Sequence, residues 1–382
     1  MPPRGEPRSE PTQVSATELG PRIARHIRRH GPISVAAFIA IALHDPQAGY
    51  YARHDPLGRT GDFITAPEIS QIFGELIGLW CADLWQRIGR PDPVILAELG
   101  PGHGTLMTDL LRAAAGVPAF RRALRLYFVE ASPVLRAEQQ RRLAAAEPQF
   151  VDSVEALPPG PLLVVANEFL DALPIRQLMR GHAEWAERLV ALDPDGRLAF
   201  AEGPESRALT LLVPAFLRAS PRGTIVEICP AAAALAAALG ERFARSPGAA
   251  LFIDYGYFPS RAGSTLSAIR HHEPSGVLDN PGDADLSAHV DFSAVAAAAE
   301  AAGAAVWGPV PQGRFLAELG AEARLAALSA RASPEQRGLL QSGLERLIDP
   351  AEMGTLFKTM AVTSPGLPVL AGFAEATVSG GE

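Results

Sequence analysis

The chain has 382 residues, with 34 basic against 42 acidic side chains and a formal net charge of −8. That balance excludes a general nucleic-acid surface, and 48% hydrophobic with 20% charged residues is the make-up of an ordinary globular protein. The length predicts a core domain with additions. The two cysteines, Cys81 and Cys229, have no metal-ligand spacing and predict small core residues in a reducing compartment.

Residues 1–16 lack a hydrophobic signal core and contain acids that do not suit a transit peptide. They are expected to be a disordered tail, and the chain is read as cytoplasmic. Thr17 can cap a helix to His30, where Gly31-Pro32 stops it, and Ser34 can cap a second helix to about His44. The apolar run 33–43 is far shorter than the roughly 20 residues of a spanning helix, so no membrane insertion is expected. A Gly-, Pro- and Asp-rich stretch follows. Thr65 and Pro67-Glu68 then have the form of a helix start, and one helix is expected to continue to about Ile88.

Residues 94–97 are an apolar run of the kind buried on both faces of a sheet. Gly100-Pro101-Gly102-His103-Gly104 then turns the chain into an amphipathic helix with Leu106, Leu110 and Leu111 on one face. Strand, glycine turn and helix in that order form a cradle, because glycine lets backbone approach a ligand and the helix start offers free N–H groups. The dinucleotide pattern requires a third glycine at position 105, where this chain has Thr105. Glu98 ends the strand, and an acid there suits a cofactor with cationic groups better than a pyrophosphate. The pattern therefore favours S-adenosyl-L-methionine over NAD or FAD.

Further strands are expected at 124–129, 149–151 and 161–166, with a helix from Ser132-Pro133 to about Ala145. This alternation is the signature of an open α/β sheet. It breaks at 173–227, which reads as short strands with a turn at 193–196. A helix at 231–245, a strand at 248–253, a loop-rich insert, an Ala-rich helix at 292–302 and a strand at 304–307 follow. Helices are then expected over most of 313–347 and a last strand at 356–362. The organisation is therefore a helical extension at 17–90 and a cofactor domain at 91–382 with inserts near 173–227, 255–290 and 311–350.

Ligands of open α/β sheets bind at the carboxyl ends of the strands. Glu98, Glu130, Asp152, Asn167-Glu168 and Asp254 all sit at such ends. Glu130 is placed to accept hydrogen bonds from two ribose hydroxyls. Asp152-Ser153 is open between an adenine contact and a plain turn. Asn167-Glu168 faces the reacting group in this architecture, and Glu168 with Asp171 forms a carboxylate pair suited to a cation, with an N-cap role for Asp171 as the alternative. No histidine or cysteine spacing supports a metal.

Longer motifs extend the pattern: GRTGDFITAPEISQIFGELIGLW at 58–80, ELGPGHGTLMTDLLR at 98–112, ANEFLDALPIRQ at 166–177 and EICPAA at 227–232. IDYGY at 253–257, ADLSAHVDF at 284–292, QGRFLAELG at 312–320 and MGTLFK at 353–358 continue it. Together these resemble the MidA-like methyltransferases, a family that includes a mitochondrial complex I assembly factor that methylates an arginine. The likeness spans nearly the whole chain after the tail. His103 departs from the arginine expected in many relatives, and residues 273–280 are unusual.

The resemblance implies a class I methyltransferase, Rossmann-like, with a mostly parallel seven-stranded sheet, an N-terminal helical extension and inserted substrate-binding segments. It implies S-adenosyl-L-methionine as cofactor and a protein partner, an arginine-bearing, quinone-proximal core subunit of NADH dehydrogenase. By motif position Gly100, Pro101, Gly102 and Gly104 form the cofactor turn and Glu130 the ribose acceptor. Gly61, Asp62 and the stretch from Thr65 to Ser70 help close the site. For an arginine acceptor Glu168 is the expected clamp, and Asp171, Asp62 or His289 the expected proton acceptor. A homodimer stays open. So do an NAD-linked oxidoreductase and a non-catalytic assembly protein that holds the cofactor.

Overall fold

Seven apolar runs assemble the central sheet. In the computed structural model, which describes residues 18–53, 65–270 and 272–374, they are β1 (Val94–Leu99), β2 (Leu124–Val129), β3 (Gln149–Val151), β4 (Leu162–Asn167), β5 (Gly248–Tyr257), β6 (Ala305–Pro311) and β7 (Phe357–Thr363). Their order across the sheet is β6-β7-β5-β4-β1-β2-β3. The pairings among β3, β2, β1, β4 and β5 are parallel, and β7 runs antiparallel to both β5 and β6. The sheet has eight strands, not the expected seven, because Val290–Asp291 adds a two-residue strand beside the end of β5.

Both faces of the sheet are covered, which is why its strands read as continuous apolar runs. Leu96, Leu163 and Leu251 pack on one side against helices Gln71–Arg87 and Thr105–Ala114. Ala97, Val164 and Phe252 pack on the other against helices Pro230–Arg245 and Phe292–Ala301. Asp291 caps the latter, its carboxylate accepting from the Ser293 and Ala294 N–H groups.

The expected helix from Thr65 to Ile88 is two helices, Ala66–Ile69 and Gln71–Arg87. Ser70 is extended, with φ −153° and ψ 131°, and its hydroxyl accepts from the Ile72 N–H at 3.3 Å. The longer helix lies close against Thr105–Ala114 because Gly74 and Gly78 face it. A Cβ on Gly78 would stand 2.6 Å from the Leu110 carbonyl oxygen. That approach holds the 65–70 segment over the glycine turn.

The 173–227 insert forms its own antiparallel sheet from Arg176–Arg180, Trp185–Leu192, Leu198–Ser206 and Ile225–Ile228. Its unexpected edge strand is Ile33–Ser34, from the N-terminal extension, paired with Val190 and Leu189. Ser34 still caps the following helix, accepting from Ala37 N–H at 3.0 Å. Segments 267–270, 273–275 and 285–287 make a small third sheet. A short helix, Pro118–Ala123, also escaped the sequence reading. Cys81 is buried as expected, whereas Cys229 is half-buried. The proposed tail, Thr17, Gly61, Asp62 and His271 lie outside the described residues. Among the described residues no helix is long and apolar enough to cross a membrane.

Candidate functional site

The glycine turn after β1 is left-handed three times, with φ +59° at Gly100, +52° at Gly102 and +75° at Gly104. Residues with a Cβ adopt that region rarely and at a cost. At Gly100 a Cβ would also stand 2.9 Å from the Phe169 ring. Over the turn lies a cavity of about 640 Å³, walled by the ends of β1, β2 and β4 and roofed by His44, Tyr51, Thr65 and Glu68 of the extension. Pro101 and Gly102 belong to its floor, with Glu98, Glu130, Asn167 and Glu168 around it.

Two of these acceptors are unsatisfied. Glu98 is 4% exposed and its Oε2 has no hydrogen-bond partner, nor does the buried Asn167 Oδ1. Burial, with Glu130 nearby, pushes the Glu98 carboxyl well above the usual range. A buried polar group without a partner is costly. These atoms therefore mark a place built for donors that come from a ligand.

Glu130 accepts from the Ser132 N–H at 2.7 Å and from the Gln139 side-chain amide at 3.2 Å. Gln139 is fully buried and also donates to the Gly102 carbonyl at 2.7 Å. It thereby joins the glycine turn to the acid at the end of β2. Arg136, one turn earlier on helix Pro133–Arg142, donates to the Glu130 carbonyl at 2.6 Å. Neither residue was singled out in the sequence. Their spacing, with Leu143 completing the stripe at 136, 139 and 143, is the signal that this face turns inward.

Thr105 stands where a dinucleotide cradle has its third glycine, and the structure gives it a role. Its hydroxyl donates to Glu68 Oε1 and accepts from Arg142. Glu68 belongs to the roof, so the helix start after the turn is latched to the N-terminal extension. His103 Nδ1 lies 3.7 Å from the same Glu68 oxygen.

At the end of β4, Glu168 is left-handed at φ +49°. Its Oε1 accepts from the Ala66 N–H at 3.2 Å and from the Asn167 amide at 3.1 Å. Burial, and next the neighbouring Asp171, push its carboxyl up to about 7. Burial likewise raises Asp171 to about 6, and its Oδ1 is buried without a partner. The loop carrying both acids is held by Asp254, whose Oδ2 accepts the N–H groups of Phe169, Leu170 and Asp171 at 3.2, 2.9 and 3.2 Å.

The structure thus brings Glu98, Gly100, Pro101, Gly102, Glu130, Asn167, Glu168 and Thr65 to one cavity. Gly104 closes the turn, its N–H donating to the Pro101 carbonyl at 2.8 Å. Asp152 and Ser153 are not brought to the cavity wall. The Asp152 side chain is 91% exposed and pairs with Arg136 at 2.6 Å. Asp171 lies just behind the wall, next to Ala172 that lines it, and His289 also stands off the wall. Its ring meets Tyr255 edge-on at 5.5 Å, its Nδ1 is buried without a partner, and burial lowers its pKa. Among the described residues no group of three or more His, Cys, Asp or Glu side chains has the form of a metal site.

A mostly parallel sheet in this order, with an antiparallel strand between β5 and β6 and a glycine cradle at β1, defines a Rossmann-like methyltransferase of class I. The family model Methyltransf_28, of S-adenosyl-L-methionine-dependent methyltransferases, matches residues 76–310. The chain belongs to this family. It is 38% identical to "Protein arginine methyltransferase NDUFAF7 homolog, mitochondrial" of Drosophila melanogaster, over 93% of this chain and 88% of that one. It is 33% identical to "Protein arginine methyltransferase NDUFAF7, mitochondrial" of Homo sapiens, over 93% of this chain and 85% of that one. A COG1565 superfamily protein from Burkholderia thailandensis, solved with S-adenosyl-homocysteine bound, superposes with a TM-score of 0.83 at 30% identity. That likeness covers 98% of this chain and 99% of the other. The cofactor is S-adenosyl-L-methionine, and the unpartnered acceptors and the glycine cradle fit it. The NAD-linked alternative falls with that assignment.

Proposed function

We propose that this enzyme methylates an arginine side chain of a protein partner. The partner expected from the family resemblance is the quinone-proximal core subunit of NADH dehydrogenase, and the same reading takes the reaction to be cytoplasmic. The observation that carries the acceptor class is the buried acid pair Glu168 and Asp171, both pushed upward in pKa by burial even though Arg346 pulls Glu168 the other way. Such a pair is relieved by a positive guest. A guanidinium, which stays charged at any working pH, is the guest whose planar donors match a carboxylate. The names of the two NDUFAF7 relatives agree with that class.

The cofactor supplies an electrophilic methyl group on a sulfonium. Gly100, Gly102 and Gly104 would cradle it, Glu130 would take its ribose hydroxyls, and Glu98 and Asn167 would receive its donors. Thr65 would help close the site, as would Gly61 and Asp62. Glu168 would hold the acceptor guanidinium and orient its plane, so that one nitrogen's lone pair is directed for attack. Positioning of that kind supplies much of the acceleration in a displacement between two bound groups. Asp171 would then take the proton that the methylated nitrogen loses, with Asp62 and His289 as the alternatives between which the sequence does not choose.

Mass spectrometry of the NADH dehydrogenase core subunit from cells with and without this protein tests the reading. A methylated arginine present only with the protein is the expected result. An unmodified subunit in both strains removes that partner, and in vitro methylation of a non-arginine side chain removes the acceptor class.

A further inference from the structure

The IDYGY motif at 253–257 has no part in the cofactor cradle, yet it underlies the acid pair. Ile253 is the last residue of β5 to pair with β4, opposite Asn167, and β5 continues to Tyr257 alongside the loop that leaves β4. Asp254 and Tyr255 therefore meet that loop directly. Asp254 is 1% exposed and gathers three successive N–H groups of the loop on Oδ2, while its Oδ1 accepts the Tyr255 N–H at 2.9 Å. The Tyr255 hydroxyl donates to Asp171 Oδ2. Its ring is seated edge-on against His289 at 5.5 Å and Phe357 at 5.4 Å, from the 255–290 insert and from β7. One Asp171 oxygen is thus tied, and the other, Oδ1, is buried and unpartnered.

We propose that Asp254 and Tyr255 are positioning residues for methyl transfer. Asp254 fixes the backbone that carries Glu168 and Asp171, and Tyr255 fixes the Asp171 carboxylate so that Oδ1 alone takes the acceptor's proton. The proposal rests on the arginine reading above for the identity of the acceptor. In the balanced step the acceptor nitrogen bonds to the methyl carbon as the carbon–sulfur bond yields its electron pair to sulfur. The surplus proton then passes from that nitrogen to Asp171 Oδ1.

The groups facing Asp171 are Glu168 on its own loop, Asp254 and Tyr255 on β5, and Tyr51 on the extension. Burial disfavours its charge, and the Tyr255 hydroxyl, followed by the Ala172 N–H, favours it. Burial and the adjacent Asp171 raise the phenol's own pKa, so it remains a donor throughout the working range.

Tyr255→Phe keeps the ring and removes the hydroxyl. Three readouts on the full chain with S-adenosyl-homocysteine or S-adenosyl-L-methionine decide the matter. Titration of the Asp171 carboxyl by carbon NMR should move up by about one pH unit, the usual scale for a lost hydrogen bond to a carboxylate. The acid limb of kcat should move with it, giving a loss that approaches tenfold well below pH 6 and is about twofold at pH 7, while S-adenosyl-homocysteine affinity and KM stay within about twofold. The double variant Tyr255→Phe with Asp171→Asn should be no slower than Asp171→Asn alone, because Tyr255 acts through Asp171. An unmoved carboxyl titration, or a double variant slower by a further tenfold, overturns the proposal. A moved titration in an enzyme that methylates no arginine upholds the positioning role and removes the arginine reading.

Discussion

Ala66 donates its backbone N–H to Glu168 Oε1 at 3.2 Å, which ties the roof of the cavity to the end of β4. A second tie runs from Glu68 to Thr105 at the glycine turn. The roof is thus fastened at both the acceptor end and the cofactor end. The acid assigned to the acceptor is also one of the fastenings, so acceptor binding and roof position are linked through Glu168.

Glu168→Gln preserves an oxygen for the Ala66 N–H and removes the charge. Cofactor affinity, measured by calorimetry with S-adenosyl-homocysteine, should stay within about threefold, while turnover falls by at least about 100-fold. Turnover within a few-fold of the parent would show that another group holds the acceptor.

The two raised carboxyls set a pH dependence. Glu168 titrates at about 7 and Asp171 at about 6, above the ordinary 4.5 and 3.8, so between those values the folded chain binds more protons than the unfolded one. Their contribution to stability is therefore full at low pH and lost as pH rises through about 6 to 7. The free protein's melting temperature should carry a component that declines from acidic to mildly basic pH, and Glu168→Gln should flatten it. Turnover should move oppositely and rise through about 7, because the clamp must be ionised. A melting profile unaltered by the substitution would contradict this account.

Gly102→Val places a β-branched side chain at φ +52° on the cavity floor. The left-handed backbone costs roughly 1–2 kcal/mol for such a residue, and its methyl groups occupy the cofactor's approach. Calorimetry should detect no binding of S-adenosyl-L-methionine in a variant that still melts cooperatively. Parental affinity would refute the cradle.

Gln139→Leu removes the amide shared by the Gly102 carbonyl and Glu130. The Gly102 carbonyl loses that donor, and Glu130 is left with the Ser132 N–H on Oε1 and nothing from Gln139 on Oε2. A fall in S-adenosyl-homocysteine affinity of about tenfold is expected, the scale of one to two net hydrogen bonds, with KM for the protein acceptor unaffected at saturating cofactor. Unchanged affinity would make Gln139 a packing residue only.

Gly78→Val forces apart two helices whose separation leaves 2.6 Å between a Cβ at Gly78 and the Leu110 carbonyl oxygen. Overpacking of this kind costs about 1–3 kcal/mol, readable as a lower denaturation midpoint at an unchanged m-value. Full stability would mean that the interface relaxes freely.

The strands of the central sheet were legible because burial on both faces leaves an uninterrupted apolar record. The β2 and β3 bounds, 124–129 and 149–151, agree with the expectation to the residue. The break at Ser70 was hidden, since 65–88 keeps helical periodicity through it and only the serine's own cap reveals the interruption. Ile33–Ser34 has no local pattern at all, and its strand character comes from Val190 and Leu189, far along the chain. Strand ends marked the acids well. They did not say which way each acid faces, and Asp152 points outward to Arg136 while Glu98 points into the cavity. Gln139, Asp254 and Tyr255 work by holding other residues, a role that appears only once the loops they touch are in place.

Among the described residues the cavity wall is drawn from those between His44 and Leu173, whereas Asp254, Tyr255 and the Asp285 that accepts the Tyr51 hydroxyl at 3.2 Å come from the later half of the chain. During synthesis, which delivers N-terminal segments first, these described wall residues of the cofactor chamber therefore leave the ribosome before the residues that set the acid pair beside it.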